Sequence, residues 1–256
     1  MIYLTGDTHA DFRRFSTRIF PEQKNMTKED YVIILGDFGG IWSGDPQDRT
    51  EQYWLDWFED KSFTTLFLDG NHENYDRLDT YPVREWNGGK VQEIRPSILH
   101  LMRGQVFRLA GKSFFVFGGA GSHDIADGIF EADDPELRRL QRLKAKGHPY
   151  YQNRQYRVNH VSWWEREMPS EDEMQEGREN LEAAGWTVDY VLTHCLPGSL
   201  HLEIGDGNYK PDSLTDYLEK IRSRCRYRCW FCGHYHWDHN ISEREKILYN
   251  QITRIV

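Results

Sequence analysis

The sequence predicts a mixed α/β fold, on three observations. Short apolar runs of β-forming residues recur along the chain, amphipathic segments with helical spacing lie between several of them, and a composition of 38% hydrophobic and 14% aromatic residues without biased tracts fits an ordinary globular core. The first runs are Ile2-Tyr3-Leu4, Tyr31-Val32-Ile33-Ile34-Leu35 and Thr65-Leu66-Phe67-Leu68. Phe114-Phe115-Val116-Phe117, Tyr190-Val191-Leu192 and Trp230-Phe231 continue the series. A strand apolar at every position is buried on both faces, as in a sheet covered by helices or by a second sheet. Tyr53, Trp54, Trp57 and Phe58, and later Leu214, Tyr217, Leu218 and Ile221, recur near 3.6 residues per turn and predict helices laid on such sheets. Ile247-Leu248-Tyr249, with Ile252 and Ile255, read as closing strands.

Residues 122–185 depart from this alternation. They hold a charged helix over 135–146, a tyrosine-rich stretch and an acidic helix over 170–184. The expected organisation is a single domain over 1–256 with a cap or insertion over 122–185. Within it Trp163-Trp164 is expected to be core rather than one wall of a cleft.

Charge and cysteine usage exclude several classes of function. Thirty-two basic residues against 41 acidic ones give a formal charge of -9, which argues against long nucleic acid as a partner. The first residues lack the charged start and apolar stretch of a secretory signal, and no apolar run reaches the roughly 20 residues that span a bilayer, so a cytoplasmic, non-membrane protein is expected. Cys225, Cys229 and Cys232 crowd one segment, with Cys195 apart from them. Their spacing lacks the second ligand pair of a zinc finger, and a buried strand is the expected setting.

Five segments place acidic, amide or imidazole groups directly after a β-like run. They are Gly6-Asp7-Thr8-His9, Gly36-Asp37-Phe38-Gly39-Gly40, Gly70-Asn71-His72-Glu73, Thr193-His194 and Gly233-His234-Tyr235-His236. Strand ends are where α/β folds collect functional groups, because the sheet fixes the backbone while the following loop faces solvent. An Asp and a His two residues apart at such an end point the same way, so Asp7 and His9 can grip one cation, and His234 and His236 repeat the arrangement. Mixed carboxylate and imidazole donors suit Mn, Fe, Zn, Co or Ni better than Ca or Mg.

Taken in order, these segments make the chain resemble the calcineurin-like metallophosphoesterase superfamily, with its D-x-H, G-D, G-N-H-[ED], lone H and G-H-x-H motifs running from Asp7 to His236. The resemblance implies an αββα sandwich of two packed mixed β-sheets flanked by helices, the metallo-dependent phosphatase fold. It implies two divalent metal ions, manganese foremost, with Fe, Zn, Ni or Co also fitting. Asp7, His9, Asp37 and His236 would hold the first, and Asp37, Asn71, His194 and His234 the second, with Asp37 bridging. His72 would be the non-ligand histidine beside the scissile bond. The implied reaction is hydrolysis of a phosphate ester, foremost a small or medium phosphomonoester, by a metal-bridging hydroxide, with His72 donating to the leaving oxygen or steadying charge on the phosphate. A phosphodiesterase or nuclease is the alternative, and a non-catalytic metal-binding scaffold the lesser one.

The second motif breaks the pattern. Gly40 stands where the superfamily's second motif, G-D-x-x-D, usually carries a carboxylate, and Ile41 where its phosphoprotein phosphatases carry an arginine, so the group that in those phosphatases orients the histidine matching His72 and the phosphate-clamping arginine are both missing. Asp45 and Asp11 are the nearby carboxylates that could replace the first. His123, in a glycine-rich loop after Phe114-Phe115-Val116-Phe117, and Trp42 are the candidate substrate contacts. Leu109-Ala110-Gly111-Lys112-Ser113 imitates a phosphate-binding loop, but Val106 occupies its first glycine position and a strand follows.

Overall fold

The computed structural model describes residues 1–148, 154–206 and 209–256; part of the tyrosine-rich stretch lies outside them. In chain order the elements are β1 (Ile2–Thr5), β2 (Tyr31–Ile34), α1 (Arg49–Glu59), β3 (Thr64–Phe67), α2 (Tyr75–Leu78), β4 (Val83–Trp86), β5 (Gly89–Arg95), β6 (Ile98–Leu101), β7 (Gln105–Leu109) and β8 (Lys112–Phe117). They continue with β9 (Ile129–Phe130), α3 (Pro135–Ala145), β10 (Arg157–Val158), α4 (Glu171–Ala183), β11 (Tyr190–Thr193), α5 (Gly198–Ile204), α6 (Ser213–Arg224), β12 (Cys229–Cys232), β13 (His239–Asn240), β14 (Glu245–Ile247) and β15 (Thr253–Arg254).

Two mixed sheets carry the fold. One runs β15-β1-β2-β3-β6-β5-β4 and the other β13-β14-β12-β11-β8-β7. In the first, β1, β2, β3 and β6 are parallel neighbours; in the second, β8, β11, β12 and β14 are. The continuous apolar runs conceal an alternation that the burial resolves. Ile2, Leu4, Ile33 and Leu66 point inward and meet Phe114, Val116, Leu192 and Phe231 of the other sheet. Tyr3, Val32, Ile34 and Phe67 point the opposite way, under Leu55 and Phe58 of α1. Phe115, Phe117, Val191 and Trp230 point outward from the second sheet against Met174 and Leu181 of α4 and Leu214, Tyr217 and Leu218 of α6. The layers are helix, sheet, sheet, helix, the αββα arrangement.

The helices begin where local chemistry allows. Asp48 accepts from the amides of Thr50 and Glu51 at the start of α1, and Ser170 with Glu173 forms a reciprocal capping box on α4. Asp212 and Thr215 do the same for α6. The spurious phosphate loop is a tight hairpin turn between β7 and β8, with Ala110 and Gly111 at φ 47° and 73° and Leu109 paired to Lys112. Of the cysteine segment, Cys229 and Cys232 lie in the buried strand β12 and Cys225 ends α6; all four thiols are free. Among the described residues no helix is long and apolar enough to cross a membrane.

Sequence reasoning passed over β4, β5, β6 and β7. β4 is largely exposed and β5 alternates buried and partly buried positions, so neither presents an unbroken apolar run. Within residues 122–185, β9 and β10 pair as a separate two-stranded ribbon while α4 joins the outer layer on the second sheet. Trp164 is buried in the cluster beneath α1, whereas Trp163 is only half-buried.

Candidate metal centre

The C-terminal ends of β1, β2 and β3 in one sheet and of β11 and β12 in the other converge, so that the loops after them share a single site. His194, from the second sheet, lies with Nε2 3.5 Å from Oδ2 of Asp37, from the first. Approach this close needs glycine: a Cβ on Gly70 would coincide with the Asp37 carboxylate and stand 2.7 Å from Nε2 of His194. Backbone strain is concentrated here too. His9, Asp37, His234 and His236 all have positive φ, between 42° and 69°, a conformation that costs an L-residue about 1 kcal/mol.

Asp7, His9, Asp37 and His236 form a group whose ligand atoms all lie within 4.8 Å of one another. Both carboxylates are aimed by the backbone. Asp7 Oδ1 accepts from the amide of His234 and Asp37 Oδ1 from the amide of His72, each at 2.8 Å, which leaves both Oδ2 atoms to the interior of the site. Asp7 Oδ2 is buried and makes no well-aligned hydrogen bond; its near neighbour is Nε2 of His236, 3.0 Å away. Nε2 of His9 is 2.9 Å from Nε2 of His236, a hydrogen-bond distance that falls short of the about 3.3 Å between two imidazole nitrogens on one tetrahedral ion. Two buried carboxylates whose Oδ2 atoms face converging imidazole nitrogens fit a divalent cation.

The second predicted set is looser: among the described residues Asp7, His9, Asp37 and His236 are the group that closes to within 4.8 Å, whereas Asn71, His194 and His234 are brought near Asp37 without closing as tightly. His194 Nδ1 donates to the Leu35 carbonyl at 2.8 Å, which turns Nε2 toward Asp37 and toward Asn71 Oδ1, 3.3 Å away. Asn71 Nδ2 donates to Ser122 Oγ at 3.4 Å, so its oxygen is the atom left facing the site. The His234 ring stands 5.0 Å from that of His194. The electrostatics follow from crowding. Against its burial, Asp37 is held far below the usual carboxylate range by His194, His72 and His9. His194, equally buried, is raised to about 10 by Asp37 and Asp7. Glu73, whose Oε1 accepts from the Phe38 amide, is pushed well above the usual carboxylate range by burial and by Asp37.

His72 sits beside this cluster, its ring 5.1 Å from that of His9. Neither Asp45 nor Asp11 orients it. Asp45 accepts from the Gln47 amide and Asp11 is paired with Arg13, while Ile41 is sealed in the core under α1. Arg157 takes that place, with one guanidinium nitrogen 3.2 Å from His72 Nε2. Arginine can only donate, so His72 accepts at Nε2 and is the neutral ring in this arrangement. Burial, with Arg157 and His9 adding to it against the pull of Asp37, lowers His72 to about 4.

The two candidate substrate contacts lie on different flanks. Trp42 lines a cavity of about 220 Å³ with His9, Ala10, Gly39 and His72. His123 lines another of about 270 Å³ that His234 also borders, together with Ser122, His201, Tyr209 and Lys210. Sequence reasoning missed Arg157, Ser122 and Glu167, which reach the site from residues 122–185. It also missed the buried Asp69, which accepts from Tyr75, His100 and Arg103 at the root of the Gly70-Asn71-His72 loop. The surviving signal for Asp69 was a carboxylate directly after an apolar strand.

A family description, calcineurin-like phosphoesterase, matches residues 1–238 of the 256. No curated protein matches the chain.

Proposed function

The chain belongs to the calcineurin-like phosphoesterase family, and from that premise we propose that it hydrolyses a small or medium phosphomonoester at a pair of divalent metal ions. The observation that carries this reading is the convergence of Asp7, His9, Asp37 and His236, with His194 reaching both Asp37 and Asn71 and its ring packed against that of His234. When bound, two such ions supply Lewis acidity that activates water and offsets the charge of the phosphoryl oxygens. Asp37 serves both positions because Oδ1 is fixed by the His72 amide while Oδ2 stands 3.5 Å from both His9 and His194. Manganese is the foremost candidate, with Fe, Zn, Ni or Co also suited to this donor set.

His72 borders the cavity that Trp42 walls, and since it is neutral and accepts from Arg157 here, it would have to take up a proton at Nε2 before passing one to the leaving oxygen. A second reading, hydrolysis of a phosphodiester, draws support from the separate cavity beyond His234, which gives room for a second ester substituent. The deciding experiment compares initial rates on p-nitrophenyl phosphate and its bis ester for manganese-loaded protein and a chelated control. Chelator-sensitive turnover that favours the monoester is expected. Preference for the bis ester would transfer the assignment to a phosphodiesterase, and two bound metals without turnover of either ester would point to a scaffold.

A further inference from the structure

We propose that Arg157 is a phosphate-binding residue of this site, supplying from β10 the guanidinium that the second motif lacks. The inference rests on the phosphoesterase reading above and deepens it by naming what grips the phosphoryl group. Three observations carry it.

Ile41, at the position where an arginine is missing, is fully buried among Phe12, Phe38 and Phe58, so no side chain there can reach the site. Arg157 reaches it instead, from a strand remote in sequence, and stands against His72, a ring otherwise enclosed by His9 and Trp42. Its guanidinium is also built in place. Nε donates to Asp124 Oδ1 at 2.9 Å, a terminal nitrogen lies 2.6 Å from Asp124 Oδ2, and the other terminal nitrogen donates to the Ser162 carbonyl at 3.4 Å.

Counting hydrogens assigns the role. Of five N–H groups, two go to Asp124, one to Ser162 and one to His72. The fifth has no partner among the described residues. The bond to His72 is the replaceable one, because an imidazole nitrogen is a weaker acceptor for a cation than a phosphate oxygen. When a phosphoryl group enters between the metal ligands and β10, two N–H groups on different terminal nitrogens can therefore turn to it. Asp124 keeps the fork aimed, and His72 is released toward the leaving group.

The experiment titrates orthophosphate calorimetrically into manganese-loaded wild type, Arg157→Ala, Arg157→Lys and Arg157→Gln, and measures kcat and KM for p-nitrophenyl phosphate on each. Arg157→Ala is expected to weaken phosphate binding roughly 10- to 100-fold, the loss of one or two charge-assisted hydrogen bonds. Lysine restores only part, since it cannot fork. Guanidinium chloride, added well below denaturing concentration, is expected to rescue turnover of the alanine variant and leave wild type unchanged. Arg157→Gln can still bond Asp124 and guards against a folding defect in the alanine variant. Phosphate affinity and kcat/KM within about twofold of wild type in Arg157→Gln would overturn the proposal while leaving the metal reading intact. Wild type that binds no phosphate and cleaves neither ester would overturn both.

Discussion

At the strand ends the backbone does the positioning. The carboxylates of Asp7 and Asp37 are each fixed by a main-chain amide, the ring of His194 by a main-chain carbonyl, and the loops that carry them begin at the ends of parallel strands sealed between two layers. Residues 122–185 approach the same centre through side chains: Arg157 on His72, Ser122 on Asn71, and Glu167 accepting from both the amide and the hydroxyl of Ser122. A backbone anchor survives substitution of its own side chain, whereas a side-chain anchor is lost with it. The first region is therefore suited to fixing the reaction and the second to fixing what is admitted to it.

The sharpest way to break that division is Asp37→Asn. Both candidate metal positions lose their shared charge, and several kcal/mol of transition-state stabilisation should go with it, a fall in turnover on the order of 10³-fold. The anchoring amide of His72 can still bond the side-chain oxygen, so the fold should be kept, but the charge that offsets buried His194 is lost and the thermal midpoint should fall with it. Retained turnover together with unchanged metal content would remove Asp37 from the centre.

Asp69→Asn tests whether the strand-end region is as rigid as its bonding implies. Asp69 is fully buried and neutralises Arg103, which also donates to the carbonyls of Arg166 and Glu167 and so ties residues 122–185 to the Asn71 loop. Arg103 would keep only the longer pairing to Glu173, at 3.3 Å, so the loss should stay below the roughly 3 to 5 kcal/mol of a fully uncompensated buried charge, read from the denaturant midpoint at neutral pH. The sign of the pH dependence is fixed by direction. Against burial, Arg103 and His100 hold Asp69 well below the usual carboxylate range. Its contribution is thus present above the unfolded value of about 3.9 and is lost as pH falls through the folded one. The gap between wild type and Asp69→Asn should shrink as pH is lowered below about 4; a gap constant across that range would assign the loss to packing instead.

These two regions were unequally legible in the sequence. The strand-end groups are local: glycine, ligand and apolar run are contiguous, so a reader sees Asp7 and His9 leaving Ile2-Tyr3-Leu4 without knowing the sheet order. The central strands were legible for the same reason, being apolar on both faces. What failed was everything defined by distance. β4 and β5 face solvent in part and offered no unbroken run. Arg157 lies 85 residues beyond His72 in a charged, aromatic stretch with no periodicity to point at it. Asp45 and Asp11 were reasonable substitutes on proximity in sequence, and the fold turns both to local partners.

A smaller effect should follow from loosening one side-chain anchor alone. Ser122→Ala removes the acceptor of Asn71 Nδ2, leaving the amide free to turn its nitrogen toward the metal position. Loss of such an orienting partner typically costs 10- to 100-fold in metal affinity, here confined to the position that Asn71 would serve, read in a competitive chelator titration. Equal weakening of both sites, or of neither, would separate Ser122 from the second position.

The smallest expected effect divides the two flanks. Trp42 is partly exposed and packs edge-on to Trp164 with ring centroids 5.6 Å apart, so its loss should cost little stability. Removing its face from the His72 cavity should raise KM for p-nitrophenyl esters about 3- to 10-fold through lost aromatic contact, with kcat changed less. His123 borders the opposite cavity, its ring 6.1 Å from that of His234, where only a second ester substituent would reach. His123→Ala should therefore raise KM for the bis ester and spare the monoester, whereas Trp42→Ala should affect both. If His123→Ala moves both KM values by the same factor, the two cavities serve one substituent, and the space beyond His234 gives no support to a diester.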